Sequence, residues 1–258
     1  MKIKTVLLIL FGLFFGFAFL VDCVHKKSNT EISDGVLQTK MDSEKTVNTL
    51  SAQEKEGDWV LLFDGETLNG WRDFKSENIG DGWTVEDGSL VALGKGGDSG
   101  GDIITDSVYE SFDLKLEWKI LEGGNSGVFF HVLEEDYPAV YATGPEYQLI
   151  DDIGFPEELE NWQTSGANYA MHPPANTKIK PAGEWNTTEI IVEGPNVIHF
   201  LNGVKVVEYK LWTDEWNELV NNGKWDDYPD YGKAMNGHIG LQDHGSKIWF
   251  RNIKIKEL

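Results

Sequence analysis

Phe112-Asp113-Leu114-Lys115-Leu116-Glu117-Trp118-Lys119-Ile120 alternates apolar and charged residues without a break. Side chains alternate across a strand, so the five apolar residues share one face and Asp113, Lys115, Glu117 and Lys119 share the other, the pattern of a half-buried β-strand. Thr188, Ile190 and Val192 set against Glu189 and Glu193 repeat it, with Ile191 interrupting the polar face. Asn196 to Leu201 and Val204 to Tyr209 flank Asn202-Gly203, and Trp83 to Val85 and Leu90 to Ala92 flank Asp87-Gly88. Both dipeptides suit the positive φ angles of a two-residue hairpin turn. Many short strands joined by such turns predict an all-β antiparallel sandwich or barrel. The one helix the pattern suggests, Thr213 to Val220, reads as a surface insertion.

Composition divides the 258 residues into three parts. Lys2 and Lys4 precede an apolar run from Val6 to Val21, the charged and hydrophobic regions of an export signal over residues 1–22. Cys23, the single cysteine, follows Leu20-Val21-Asp22 in the manner of a lipoprotein processing site, which predicts a lipid anchor and a periplasmic or outer-membrane location. Asp22 departs from that pattern, where a small residue is usual, and an uncleaved anchor is the alternative. Residues 23–56 are polar with few large apolar side chains, so burial there does not offset the entropy of ordering, and they read as a tether. All ten tryptophans lie between Trp59 and Trp249, inside a dense domain over residues 57–258. One cysteine allows no internal disulfide. A net charge of -21 would repel phosphate and argues against a nucleic-acid surface.

Within the dense domain, period-two reading groups Glu146, Gln148 and Ile150 on one face and Tyr147 and Leu149 on the other. A carboxylate beside an amide suits sugar hydroxyls, which need both donors and acceptors; a solvated sheet face has the same pattern. His238, Gly240 and Gln242 share a second polar face, with Gly240 leaving room for a ligand, and Asp243-His244-Gly245 turns away at the strand end. Asp243 and His244 read as a base with its orienting partner or as a turn aspartate beside a loop histidine. His131 ends an apolar strand and is either a general base or a hydrogen-bonded histidine at the sheet rim. Arg251 alternates with Trp249, Ile253 and Ile255, which places it on an apolar face where it needs a carboxylate partner. Trp185, Tyr141, Tyr169 and His172 stand near glycine or proline and read as loop aromatics that either stack on sugar rings or pack for stability alone.

Seven segments read together carry a resemblance. They are Leu62-Phe63-Asp64-Gly65 with Gly70-Trp71; Gly124 to Phe130; Gly144-Pro145-Glu146-Tyr147-Gln148; Gly183-Glu184-Trp185-Asn186; Leu201-Asn202-Gly203; Gly237 to Gly245; and Phe250-Arg251-Asn252-Ile253. In this order they resemble the 3-keto-disaccharide hydrolase domain family, over nearly all of residues 57–258. The resemblance implies a concanavalin-like jelly-roll β-sandwich and cleavage of glycosides oxidised at carbon 3, with a separate 3-dehydrogenase supplying the keto sugar. A non-catalytic lectin-like module is the competing expectation, because one fold serves both classes.

A glycosidase of the usual kind needs two carboxyl groups facing each other across the bond. Glu146 and Asp151 are an odd number of residues apart, so a regular strand sends them to opposite faces. A 3-keto sugar relaxes this need, because the ketone acidifies the hydrogen on carbon 2 and the glycosidic oxygen then leaves by β-elimination. His131 or Glu146 is the expected base, and Gln148, Asp151, Trp185, His238, Gln242, Asp243 and His244 are the expected substrate contacts. A divalent metal stays open, since no His-Glu spacing matches a metal signature. No glycine-rich dinucleotide motif follows a strand, so no nucleotide cofactor is expected.

Overall fold

The computed structural model describes residues 46–96 and 101–258. The expected signal segment, the anchor at Cys23 and the tether up to residue 45 lie outside the described residues. In chain order the elements are α1 (Ala52–Glu56), β1 (Val60–Leu61), β2 (Trp71–Asp73), β3 (Trp83–Glu86), β4 (Ser89–Leu93), β5 (Ile103–Tyr109), β6 (Phe112–Ile120), β7 (Asn125–Val132), β8 (Glu146–Ile150), β9 (Asn186–Glu193), β10 (Asn196–Leu201), β11 (Val204–Lys210), α2 (Asp214–Asn222), β12 (Gly237–Leu241) and β13 (Lys247–Glu257). They form two antiparallel sheets. The larger runs β11-β10-β9-β6-β13-β4-β3, with β1 also paired to β13, and the smaller runs β2-β5-β12-β7-β8. The sheets pack face to face as a sandwich, one of the two architectures that the alternation predicts, and of the jelly-roll kind that the resemblance implies.

The decisive strand, β6, sits in the middle of the larger sheet between β9 and β13. Phe112, Leu114, Leu116, Trp118 and Ile120 are all buried, and they meet Val128, Phe130, Tyr147, Leu149, Ile239 and Leu241 of the smaller sheet in one core. Burial of this much apolar area is the main favourable term for a fold without disulfides. The two hairpins turn as expected. Asp87 and Gly88 have φ of 47° and 70°, and Asn202 and Gly203 have 50° and 76°, the left-handed pair that a tight hairpin requires.

Two readings need correction. Residues 46–56, read from composition as the end of the tether, belong to the same compact unit as residues 57–258. Asn48 and Asn252 exchange backbone-to-side-chain hydrogen bonds of 2.6 and 2.8 Å, and Asn48 Nδ2 donates to the Gly88 carbonyl at 2.7 Å. Ser51 and Glu54 form a capping box on α1, and Glu54 pairs with Lys254. Polar contacts rather than apolar burial dock this arm, and so a composition argument reads it as tether. The second concerns Arg251. The pairing of β13 with β6 slips between Arg251 and Lys254, where Asn252 takes φ 52°. This bulge turns Ile253 into the core while Arg251 stays with Trp249 on the outer face, its Nε 2.9 Å from Glu117 Oε2.

Candidate active site

The outer face of the smaller sheet carries a cavity of about 360 Å³ at the β7-β8 end. Its floor is built by strand alternation. Tyr147 and Leu149 point into the core, which leaves Glu146 and Gln148 on the cavity side. Gly127 pairs with Gln148 across the β7-β8 ladder, and Asn125 of the same face also lines the cavity. Gln242 follows β12 and donates its backbone N–H to the Gly127 carbonyl at 3.0 Å, so it joins the floor beside β7. His244 lies just beyond it.

The wall comes from loops. The edge of β8 is covered by residues 165–172, with hydrogen bonds from Gly166 N to Gln148 O at 2.9 Å and from Tyr169 N to Glu146 O at 3.0 Å. These bonds bring the Tyr169 ring to the cavity. Tyr141 comes from the short 3-10 turn Val140–Ala142. Lys224, Trp225 and Tyr228 come from the segment that follows α2. That segment is anchored by a column of nearly parallel rings: His172, Tyr209, Trp216, Tyr231 and Trp225, with successive centroids 4.7, 5.7, 5.8 and 4.3 Å apart. Stacking of this kind adds about 0.5–1.5 kcal/mol per pair beyond area burial.

Glu146 is 6 % exposed, and among the described residues it is the single carboxyl group lining the cavity. Burial pushes its pKa up to about 8; the Lys224 charge opposes that rise and the Asp102 charge adds to it. Gly127 makes room for it, since a Cβ there would stand 2.5 Å from Glu146 Oε1. Asn125 Oδ1, Gln148 Oε1 and Gln242 Oε1 are buried and have no hydrogen-bond partner. Leaving such atoms unmet costs about 1–3 kcal/mol each. A ligand that brings hydroxyl donors removes the cost, and the aromatic wall offers faces to a sugar ring. No group of three or more His, Cys, Asp or Glu side chains among the described residues is placed to hold a metal ion.

The structure brings together Glu146, Gln148, Gln242 and His244, with Tyr141 and Tyr169, from the residues expected in the sequence. It separates the others. His131 takes φ 54° at a bulge, where β12 residues 238 and 240 pair with β7 residues 132 and 129. Its ring lies against Phe112 and Phe130, with Nε2 2.8 Å from the Glu110 carbonyl. Burial pulls its pKa down, and it does not line the cavity. His238 sits past Gly240, and Phe129 rather than a ligand fills the space over that glycine. Phe129 packs there with Ile104, Val132 and Val140. Nδ1 of His238 is 2.6 Å from the Thr105 carbonyl, and Nε2 is 3.8 Å from Glu134, which Arg72 grips with bonds of 2.6 and 2.5 Å.

Asp243 is the turn aspartate of the two readings. Its carboxylate accepts from Lys95 N, Gly96 N and Gly245 N at 3.0 to 3.1 Å. Asp151 likewise closes a turn, accepting from Gly123 N at 2.9 Å. Trp185 lies on the far side of the sandwich, its ring 3.9 Å from the Arg251 guanidinium. His172 belongs to the ring column rather than to the cavity. Sequence reasoning missed Asn125, Lys224, Trp225 and Tyr228. The signal for the last three was the density of aromatics in Trp225-Asp226-Asp227-Tyr228-Pro229-Asp230-Tyr231, which is high for a polar, turn-rich stretch.

Three comparisons bear on this architecture. The chain is 36 % identical over 227 residues to a protein of Bacteroides thetaiotaomicron named 3-keto-disaccharide hydrolase, a match covering 78 % of each chain. A crystal structure from Parabacteroides distasonis, provisionally called a glycosyl hydrolase, matches with a TM-score of 0.77 at 41 % identity, over 83 % of this chain and all of the other. A second structure from that organism, described in the same way, matches with a TM-score of 0.60 at 28 % identity, over 78 % of this chain and 99 % of the other. The model of the 3-keto-α-glucoside-1,2-lyase-like domain matches residues 58–256, and the chain belongs to that family.

Proposed function

We propose that the protein cleaves the glycosidic bond of glycosides carrying a ketone at carbon 3, by removing the proton on carbon 2 and expelling the glycosidic oxygen. The observation that carries this reading is the lone, buried Glu146 in a cavity lined with unmet amide acceptors. Ordinary acid-base glycoside hydrolysis divides its work between two carboxyl groups. Proton abstraction next to a ketone needs one base, and a carboxylate of raised pKa is a stronger base than an exposed one. The name of the Bacteroides thetaiotaomicron relative points to the same substrate class.

In the first half of the reaction Glu146 takes the carbon-2 proton, and the electrons of that C–H bond form a carbon-2 to carbon-3 double bond as the ketone π pair moves onto oxygen. In the second half the ketone reforms, a carbon-1 to carbon-2 double bond appears, and the C–O bond to the aglycone breaks with its electrons on the leaving oxygen. That oxygen takes a proton, which the newly protonated Glu146 or His244 supplies. The amides of Asn125, Gln148 and Gln242 hold the remaining hydroxyls, and the aromatic wall holds the ring. Addition of water across the new double bond makes the net outcome hydrolysis; without it the outcome is a lyase reaction. The ketone itself must come from a separate oxidoreductase acting on the free glycoside.

The test is to incubate the protein with a matched pair of glucoside and 3-keto-glucoside, with and without a chelator. Release of aglycone from the keto substrate alone is expected. Tight binding of either compound without turnover would replace this reading with a carbohydrate-binding module, and loss of turnover on chelation would add a metal to the scheme.

A further inference from the structure

Proton removal beside a ketone leaves a negative charge on oxygen, and the three orphaned amide oxygens of the cavity residues do not meet it, since each is an acceptor. The cavity lining holds one lysine. Lys224 follows directly on Gly223, the residue that ends α2, and it lines the cavity beside the rings of Tyr169 and Trp225. We propose that Lys224 is a catalytic residue that donates to the ketone oxygen and carries the charge of the enolate; the proposal rests on the reaction inferred above.

Three observations support it. The ammonium stands 4.1 Å from the Tyr169 ring centroid and 5.3 Å from that of Trp225. Ring faces attract a cation without neutralising it, and Lys224 enters none of the ion pairs among the described residues. Its charge is therefore held in place yet still available to a ligand. Second, Lys224 and Glu146 line the same cavity without forming an ion pair, and the Lys224 charge opposes the rise in the Glu146 pKa. A base and a cation on one cavity but not in contact leave space between them for the atoms on which each acts. Third, the chemistry of the partners matches. An ammonium has three donors and no acceptor, whereas a ketone oxygen only accepts; hydroxyl groups can satisfy the orphaned amide oxygens. The cavity thus combines acceptors suited to sugar hydroxyls with a charged donor suited to a ketone oxygen.

In the step concerned, the carbon-2 proton passes to Glu146, the C–H pair becomes the carbon-2 to carbon-3 π bond, and the ketone π pair settles on the oxygen beside Lys224. No oxidant or further reactant is required. When the aglycone leaves, the pair returns and the contact to Lys224 reverts to a hydrogen bond on a neutral ketone. The interaction is stronger in the charged intermediate than in the bound substrate, and so it accelerates the reaction rather than merely tightening binding.

The experiment compares wild type, Lys224→Met and Lys224→Arg in the full chain, with folding checked by circular dichroism. Two substrates separate the steps: a 3-keto-glucoside, followed by aglycone release, and 3-keto-1,5-anhydroglucitol, which has no leaving group and reports proton removal alone through deuterium exchange at carbon 2. Lys224→Met should lower kcat by about 10²- to 10³-fold, the usual effect of removing one preorganised donor to a developing oxyanion. Exchange should slow by the same factor, while KM moves by less than about threefold. Lys224→Arg, which keeps the charge, should stay within about tenfold of wild type. With the cation gone, the rising limb of the pH profile should move to higher pH, because Glu146 loses the charge that opposes its raised pKa. Unchanged kcat in Lys224→Met, or a change confined to KM, overturns the proposal, as does loss of cleavage with exchange intact. A wild-type protein that neither cleaves the keto-glucoside nor exchanges the anhydroglucitol hydrogen overturns the underlying reaction instead.

Discussion

Replacing Glu146 by Gln removes an ionisation while keeping the shape of the side chain, and the structure sets the size of the effect. The Glu146 pKa stands at about 8 against an ordinary 4.5, and one pH unit corresponds to about 1.4 kcal/mol. Below pH 4.5 the carboxyl is protonated in both folded and unfolded chains, and it costs nothing. As pH rises from 4.5 to about 8 the unfolded chain releases this proton and the folded chain keeps it, so folding stability falls along the interval. Above pH 8 both forms are ionised and the loss levels off. Integrated between pH 5 and pH 9, the wild type loses about 4 kcal/mol that Glu146→Gln does not lose. Water entering the cavity makes this an upper figure, and about 2 kcal/mol is still decisive. The assay is urea unfolding of both proteins at a series of pH values, read as the difference between them so that other titrating groups cancel. The variant should gain on the wild type steadily up to pH 8 and be inactive at every pH, while wild-type kcat/KM climbs towards a plateau above pH 8 as the carboxylate forms. A stability difference constant within 1 kcal/mol from pH 5 to pH 9 would refute the claim that burial holds Glu146 protonated near neutrality, and with it the basis for naming it the base.

Three further outcomes are expected. Gly127→Ala puts a methyl group 2.5 Å from Glu146 Oε1, and displacing the carboxylate should cut kcat/KM by about 10²-fold with an unchanged circular dichroism spectrum; near-normal activity would show that the carboxyl position is not critical. His131→Asn, which suits the left-handed φ of 54°, should keep kcat within about threefold and leave the pH profile unmoved, whereas a 10²-fold loss would restore His131 to the chemistry. Asn48→Ala removes the acceptor for Asn252 N and the donor to Gly88 and should cost about 2–3 kcal/mol in urea unfolding, a result that a merely tethering arm would not give.

Strand period made much of this site legible. The alternation in Phe112 to Ile120 gave the central strand, and that of Glu146 to Ile150 correctly sent Tyr147 and Leu149 to the core and the Glu-Gln pair to the cavity. The errors cluster at bulges. The bulge at Asn252 changes which side chains share a face, so the count that grouped Arg251 with Ile253 no longer holds, and the bulge at His131 goes with a ring hydrogen-bonded to the Glu110 carbonyl, away from the cavity. A positive φ at a histidine leaves no mark in a hydrophobic pattern. Loops were opaque for another reason: Lys224, Trp225 and Tyr228 follow no period, and Trp225 is held through Tyr231, which stacks on Trp216 and through it on Tyr209. The arm at Asn48 was hidden because composition weighs apolar area, whereas its docking uses amides and an ion pair.

The split between floor and wall has a chemical consequence. The floor groups Glu146, Gln148 and Asn125 are fixed by the β7-β8 ladder, and Gln242 is tied to it by a backbone bond. A base must hold its reach to a C–H bond to within a fraction of an ångström, and groups on paired strands meet that demand better than groups on loops. The Lys224 to Tyr228 part of the wall rides on an insertion between β11 and β12 whose register is set by stacked rings rather than by a ladder. Substitution along Trp225 to Tyr228, with Lys224 kept, can therefore change which aglycone is accepted without moving the base. A chimera that exchanges this insertion with that of the Bacteroides thetaiotaomicron relative, with a lysine kept at position 224, should exchange aglycone preference while retaining the pH dependence set by Glu146.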